Sequence, residues 1–155
     1  MGSIKFTARI EINCESEFAF DYTQDYSQRL VWDTFLKKAM LIEGALKAKK
    51  GVKAYCVAKN GLGMVTEYVT FNRPKATAIK MSKGPFMFNY FLGSWTFKDV
   101  NTNLTAVIFL YSFKLRFPFN LFKELIKKKL KSNVQQRLID LKTNIEIKTR
   151  PVNTK

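Results

Sequence analysis

Apolar and polar residues alternate most regularly near the amino terminus, where every second residue from Ile4 to Ile12 is apolar. A period of two is typical of a β-strand with one buried face. The same alternation returns in two longer segments, Phe86 to Asp99 and Leu104 to Leu115. We therefore expect two sets of inward-facing residues, Phe91, Gly93, Trp95 and Phe97 in the first segment, and Val107, Phe109, Tyr111, Phe113 and Leu115 in the second.

Shorter elements are predicted between the first strand and these two. Ser16 is placed to cap a short helix, and a second short helix is predicted over 26–32. Asn60 and Gly61 form a dipeptide typical of tight hairpin turns. Glycine and proline residues, which are typical of turns, then mark the ends of four further strands. These strands are predicted over residues 38–44, 52–58, 63–71 and 76–81.

The last predicted element is a long helix from Asn120, its expected cap, to Ile147. Its apolar stripe is centred near Phe122 and Ile126 at first and lies about a quarter turn away later. We expect a kink or break over 127–131 to explain this drift. Residues 148–155 are predicted to form a frayed tail.

The order of these elements favours an α+β fold: one strand, two short helices, six strands and a long helix. The chain has 155 residues, which suits a single domain, here predicted over residues 1–147.

Composition restricts the chemistry that such a domain can perform. The chain contains no histidine, which excludes histidine-based triads and histidine-ligated metal sites. Its two cysteines, Cys14 and Cys56, lack CxxC spacing, so neither a disulfide framework nor a thiolate zinc site is supported. We expect no metal and no cofactor.

The net charge of +15 predicts attraction to anionic surfaces. One group of lysines lies in a predicted turn and a second group on the long helix. Peripheral contact with an anionic membrane is one interpretation, and a solvated face is the other. We do not expect nucleic-acid binding, because no recognition motif is present and the aromatic residues fall on an inward face. The membrane interpretation rests on Lys47, Lys49, Lys50, Lys127, Lys128 and Lys131.

Aromatic residues make up 14% of the chain, including fourteen phenylalanines. A sheet curved around a helix is hard to fill at its centre, so these rings are candidates for the wall of an apolar cavity, with ordinary core packing as the alternative. Glu67 is a weak candidate for an acid or base within it, since a carboxylate in an apolar site has a raised pKa. The predicted ligand-binding residues are Trp32, Phe35, Tyr68, Phe91, Trp95, Phe97, Phe109, Tyr111, Phe113, Phe122, Ile126 and Leu130.

The segments 69–74, 83–86 and 93–97, with the alternating final strand leading into the long helix, resemble the START-like helix-grip (SRPBCC) superfamily. The resemblance is to its polyketide cyclase/dehydrase and lipid-transport branch, and within that to coenzyme Q-binding proteins. It implies a curved seven-stranded antiparallel sheet wrapped around the C-terminal helix. It also implies a hydrophobic cavity between them for a lipid-like or polycyclic ligand.

Three functions follow as hypotheses. The first is non-catalytic binding or transport of a hydrophobic small molecule, such as a lipid, an isoprenoid quinone or a polyketide-like compound. The second is a cyclase/dehydrase-type enzyme that uses Glu67 or a tyrosine, and the third is a basic module for an anionic membrane or partner. Without an apolar run of about 18 residues or a secretory signal, we expect the protein in the cytoplasm.

Overall fold

The computed structural model describes residues 2–149. One long antiparallel sheet and three α-helices make up this part of the chain. In chain order the elements are β1 (Ile4–Ile12), α1 (Ser16–Gln24), α2 (Arg29–Trp32), β2 (Leu36–Leu41), β3 (Lys53–Ala58), β4 (Gly63–Asn72), β5 (Ala76–Lys83), β6 (Phe88–Asn101), β7 (Leu104–Leu115), a 3₁₀ helix (Phe119–Phe122) and α3 (Lys123–Thr149).

All seven strands belong to one sheet with the order β1-β7-β6-β5-β4-β3-β2. Every neighbouring pair is antiparallel, and α1 and α2 carry the chain from one edge strand, β1, to the other, β2. The sheet curls around α3, which confirms the predicted α+β helix-grip fold with two short helices after the first strand.

The inward faces of β6 and β7 are those predicted from the alternation. Trp95 pairs with Phe109, and Gly93 pairs with Tyr111, so the two sets of buried rings lie side by side. A Cβ atom at Gly93 would lie 3.1 Å from Cε1 of Tyr111. The glycine therefore leaves the space that the Tyr111 ring occupies.

The C-terminal half of α3 closes the core against the sheet. Its buried apolar residues recur at helical spacing: Val134, Leu138, Leu141 and Ile145. They pack with large rings from the other elements, among them Phe20, Trp32 and Phe113, in one continuous cluster. Burying each such side chain stabilises the fold by about 1.5–3 kcal/mol, so this half of the helix is firmly anchored.

The first turns of α3 differ from the prediction. The helix is continuous through residues 127–131, so it is not split into two helices there. The change in helix type comes earlier, where the 3₁₀ helix gives way to α3 at Lys123, and Asn120 lies inside the 3₁₀ helix rather than at a cap. The apolar stripe drifts because Phe122 and Leu125 are exposed and do not pack on the sheet.

Two terminal details also differ from the prediction. Ser16 is the first residue of α1, and Glu15 occupies the cap position without a side-chain hydrogen bond. Lys148 and Thr149 are helical, while residues 150–155 of the predicted tail lie outside the described residues. No helix within the described chain has the length and hydropathy to cross a membrane.

Candidate functional site

A cavity of about 280 Å³ lies between the inner face of the sheet and the first half of α3. Aromatic and aliphatic side chains form most of its wall, which is typical of sites for apolar small molecules. The apolar residues of this wall are Phe35, Leu36, Ala58, Leu62, Met64, Ile79, Pro85, Met87, Phe88, Phe91, Trp95, Phe109, Ile126 and Leu130.

The structure brings eight of the twelve predicted ligand-binding residues to this wall. They come from the loop after α2, from three strands of the sheet (β4, β6 and β7) and from α3. Phe35, Tyr68, Phe91, Trp95, Phe109, Tyr111, Ile126 and Leu130 line the cavity.

The other four predicted residues are not among the lining residues. Trp32, Phe97 and Phe113 are buried in the core behind the wall. The rings of Trp32 and Phe97 lie 6.1 Å and 6.2 Å from that of Trp95, so they support a wall residue instead of forming the surface. Phe122 is exposed on the 3₁₀ helix, outside the cavity.

Glu67 does not lie on the inward face. Its neighbours Thr66 and Tyr68 line the cavity, so the Glu67 side chain projects from the opposite face of β4, where Lys53 and Lys80 are its cross-strand neighbours. Strict alternation would place Glu67 on the same face as Val69 and Phe71, but β4 has a register shift between Tyr68 and Thr70. This irregularity brings Phe71 to the inner face, where its ring lies 5.6 Å from that of Tyr68.

A buried cluster of charges borders one side of the cavity. Asp33 is fully buried, and its carboxylate accepts two hydrogen bonds from Arg137, at 3.0 and 2.7 Å, and one from Nε of Arg29 at 2.9 Å. Arg137 also donates to the hydroxyl of Tyr111 at 2.8 Å. The cavity lining includes both arginines and Tyr111, so the cluster belongs to the site.

The protonation states of this cluster follow from its geometry. Burial alone would raise the pKa of Asp33, but the guanidinium groups of Arg137 and Arg29 hold the pKa of the carboxyl below its usual value. Burial would lower the pKa of each arginine, and the charge of Asp33 outweighs that effect, so both pKa values are raised. All three groups are charged at neutral pH.

A second polar group of the lining consists of neutral side chains. The Tyr68 hydroxyl donates a hydrogen bond to Oε1 of Gln24 at 2.7 Å and lies 3.3 Å from the hydroxyl of Tyr26. Burial raises the pKa of Tyr26, Tyr68 and Cys56. These groups offer hydrogen bonds to a ligand but carry no charge at neutral pH.

Sequence reasoning did not identify Arg29, Asp33 or Arg137. A signal was present, because Arg137 falls within the apolar stripe formed by Val134, Leu138 and Leu141. A charged residue on the buried face of a helix requires a partner in the interior. That partner, Asp33, is remote in the sequence and only the fold brings it close.

The cavity opens at the end of the sheet that faces the first turns of α3. Leu62, which lines it, is 50% exposed, and Pro85 of the β5–β6 turn lies at the same end. Several large apolar side chains beside this opening are exposed; we call them the mouth patch. Its members are Phe86, Phe117, Leu121, Phe122 and Leu125.

Comparisons with known proteins identify the protein family of the chain. The architecture is the helix-grip fold of the START superfamily, as the sequence predicted. The chain belongs to the polyketide cyclase/dehydrase and lipid transport family, whose model matches residues 3–146. A search of curated proteins found no match.

Solved structures with a similar fold come from bacteria and plants. The Zhui aromatase/cyclase from Streptomyces sp. R1128 has a TM-score of 0.81 at 11% identity, with 99% of each chain covered. A START superfamily protein from Mycobacterium smegmatis has a TM-score of 0.75 at 10% identity, covering 93% of this chain and 99% of that one. The ginseng major latex-like protein 151 from Panax ginseng has a TM-score of 0.70 at 13% identity, covering 97% and 100%. At these identities the likeness defines the fold alone.

Proposed function

We propose that the protein binds and transports a hydrophobic small molecule, such as a lipid, an isoprenoid quinone or a polyketide-like compound, in the cavity between sheet and α3. The apolar wall of this cavity is the observation that carries the proposal. The family is one of cyclases, dehydrases and lipid transport proteins, and both kinds of activity need an apolar binding site.

The choice of binding over catalysis rests on the groups that line the site. Across residues 2–149, no carboxylate lines the cavity, and Glu67 projects from the other face of the sheet. The tyrosines Tyr26 and Tyr68 have pKa values raised by burial, which makes them poor bases at neutral pH. A cyclase or dehydrase activity would instead rely on hydrogen-bond donors of the lining, such as the paired hydroxyls of Tyr26 and Tyr68.

Native mass spectrometry of the purified protein tests the binding proposal. We expect a bound apolar species, or its appearance after incubation with a lipid extract. Ile79→Phe should reduce that binding, because Ile79 lines the cavity and the larger side chain would occupy its volume. Ile108→Phe is the matched control, since Ile108 lies in β7 between the inward residues Val107 and Phe109 and is not a lining residue. Absence of any bound species from the wild-type protein under all these conditions would refute the proposal.

We further propose that an anionic membrane supplies or receives the ligand at the cavity mouth. Leu125 is exposed, and Lys128 and Lys129 follow it at the i+3 and i+4 positions of the same helical face. Apolar side chains beside lysines match the chemistry of an anionic lipid surface, with each lysine near the surface contributing about 1 kcal/mol. The mouth patch would insert, and Lys127, Lys128 and Lys131 would supply the charge attraction.

The second lysine group does not belong to this surface. Lys47, Lys49 and Lys50 lie in the β2–β3 connection, while the opening lies near the β3–β4 turn. These two connections are at opposite ends of β3. One face of the protein therefore cannot present both groups beside the cavity mouth, and the membrane proposal is restricted to the lysines of α3.

A further inference from the structure

The buried charges beside the cavity do not balance. Arg29 and Arg137 carry two positive charges, and Asp33 supplies one negative charge. Lys129 is a further lining residue, and the lining within residues 2–149 includes no carboxylate side chain. Desolvated charge without a partner is costly, so the surplus positive charge is the feature that a ligand would compensate.

The hydrogen bonds show which of the two arginines has a donor group without an acceptor. Arg137 binds both oxygens of Asp33 and also the hydroxyl of Tyr111, so all three of its nitrogens are engaged. Arg29 donates through Nε to Asp33, and its Nη1 lies 3.5 Å from the carbonyl oxygen of Thr23. No atom of residues 2–149 accepts a hydrogen bond from Nη2 of Arg29.

Arg29 is also held rigidly at the cavity surface. Its guanidinium lies 5.0 Å from the ring of Trp32 and 5.7 Å from the ring of Tyr26, and the residue is only 8% exposed. An arginine fixed between aromatic rings is pre-organised for an anion and loses little side-chain entropy on binding it. The hydroxyls of Tyr26 and Tyr68 lie in the same part of the lining and add neutral hydrogen-bonding groups.

We propose that the ligand is an amphiphile with an anionic head group, a carboxylate or a phosphate ester, which binds to Arg29 while its apolar part occupies the aromatic cavity. This inference rests on the proposed binding function and specifies its ligand. The Asp33–Arg137 pair holds Arg29 in place and leaves Nη2 for the head group. An uncharged lipid would leave the surplus charge of the cluster uncompensated.

Matched ligands test the inference on the wild-type protein. Dodecanoate, dodecyl phosphate and dodecanol share one chain and differ in the head group, and each is titrated below its critical micelle concentration by calorimetry. We expect dodecanoate or dodecyl phosphate to bind at least ~10-fold more tightly than dodecanol, because a hydrogen bond between two charged groups is stronger than one to a neutral hydroxyl. The anion that binds more tightly identifies the head-group class.

Variants test whether Arg29 is responsible. Arg29→Met should abolish the preference for the anion, so that dodecanoate and dodecyl phosphate bind this variant no more tightly than dodecanol does. Arg9→Met is the control, because Arg9 is an exposed residue of β1 that carries the same charge outside the cavity. Arg29→Lys, which keeps the charge, should retain part of the preference. If Arg29→Met does not fold, a reduced anion preference in Arg29→Lys tests the role of Arg29, and the comparison of ligands on the wild-type protein tests the anionic head group.

Failure of this inference is distinguishable from failure of the proposed function. Equal binding of dodecanol and both anions would overturn the anionic head group while supporting a hydrophobic ligand. An unchanged anion preference in Arg29→Met would overturn the role of Arg29. If none of the three probes and no lipid extract binds, the proposed function itself fails.

Discussion

Arg137 on α3 and Asp33, in the loop after α2, form a two-point ion pair with hydrogen bonds of 3.0 and 2.7 Å. The two residues are 104 positions apart in the sequence, and Asp33 is fully buried. The pair therefore joins the C-terminal helix to the short helical segment at the start of the chain, next to the cavity. Disturbing it affects both the stability of the fold and the shape of the binding site.

Asp33→Asn should destabilise the protein strongly. The substitution leaves Arg29 and Arg137 buried without an anion, and removal of one partner of a buried ion pair costs about 3–5 kcal/mol. Urea unfolding followed by circular dichroism measures the loss. Asp21→Asn is the control, because Asp21 pairs with Arg73 on the surface and should matter far less. Equal losses in the two variants would contradict the role given to Asp33.

The stability should also respond to acid in a defined range. Because the pKa of Asp33 is lowered in the folded state, its contribution is complete above the ordinary value of 3.8 and is lost as the pH falls through the lower folded value. Burial would raise the pKa of Glu146, but hydrogen bonds from Lys142 and Asn13 lower it, so this residue acts in the same direction. Urea midpoints measured from pH 7 to pH 2.5 should separate wild type from Asp33→Asn by a constant margin down to about pH 4 and by less below it. A margin that already shrinks between pH 7 and pH 5 would show that Asp33 is not stabilised as a carboxylate.

Substitution of two leucines of α3 should affect the stability of the fold and the binding of the ligand differently. Leu141 is fully buried in the core, so Leu141→Ala should cost about 2–5 kcal/mol of unfolding free energy. Leu130 is only partly buried and lines the cavity, so Leu130→Ala should cost much less stability. It should instead weaken binding of an apolar ligand by roughly 4- to 15-fold, the equivalent of about one or two buried methylene groups. Calorimetry and thermal unfolding of both variants test this contrast, which would fail if Leu130→Ala left ligand affinity unchanged.

Binding to vesicles tests the membrane proposal. Replacing Lys127, Lys128 and Lys131 by glutamine should weaken binding to vesicles containing phosphatidylserine by up to ~100-fold, since each lysine contributes about 1 kcal/mol. The matched control replaces Lys47, Lys49 and Lys50, which removes the same charge at the other end of β3. Leu125→Ser should weaken binding even at high salt, because its contribution is apolar. Equal loss in the two triple variants would indicate attraction by net charge alone.

Alternation made three strands of the sheet predictable from the sequence. In β1, and in β6 and β7 over residues 91–97 and 107–115, each inward position is apolar, and a shift of one residue would move all of them to the other face, so the pattern defines both strand and face. The rule failed in β4, where the register shift between Tyr68 and Thr70 places Glu67 on the outer face and Phe71 on the inner one. Nothing in the local sequence marks that irregularity.

The polar part of the site could not be predicted for a different reason. Arg29 and Asp33 have the i, i+4 spacing of an ordinary surface ion pair. Their burial depends on Arg137, which is distant in the sequence and lies close to them only in the folded protein. Which aromatic residues line the cavity also depends on tertiary packing and could not be predicted from the sequence. Trp32 and Trp95 are equally apolar, but only tertiary packing places one behind the wall and the other on it.

An NMR titration with dodecanoate shows whether the ligand lies between the sheet and α3. A ligand in this position should cause the largest chemical-shift changes at the inward residues Thr66, Tyr68 and Trp95. No comparable change is expected at Lys80 and Lys114, whose ammonium groups lie near the ring of Tyr90 and which do not line the cavity. Changes that saturate in this pattern would place the ligand between sheet and helix. Changes confined to Lys80, Lys114 or other residues outside the lining would show that the ligand does not bind in the cavity.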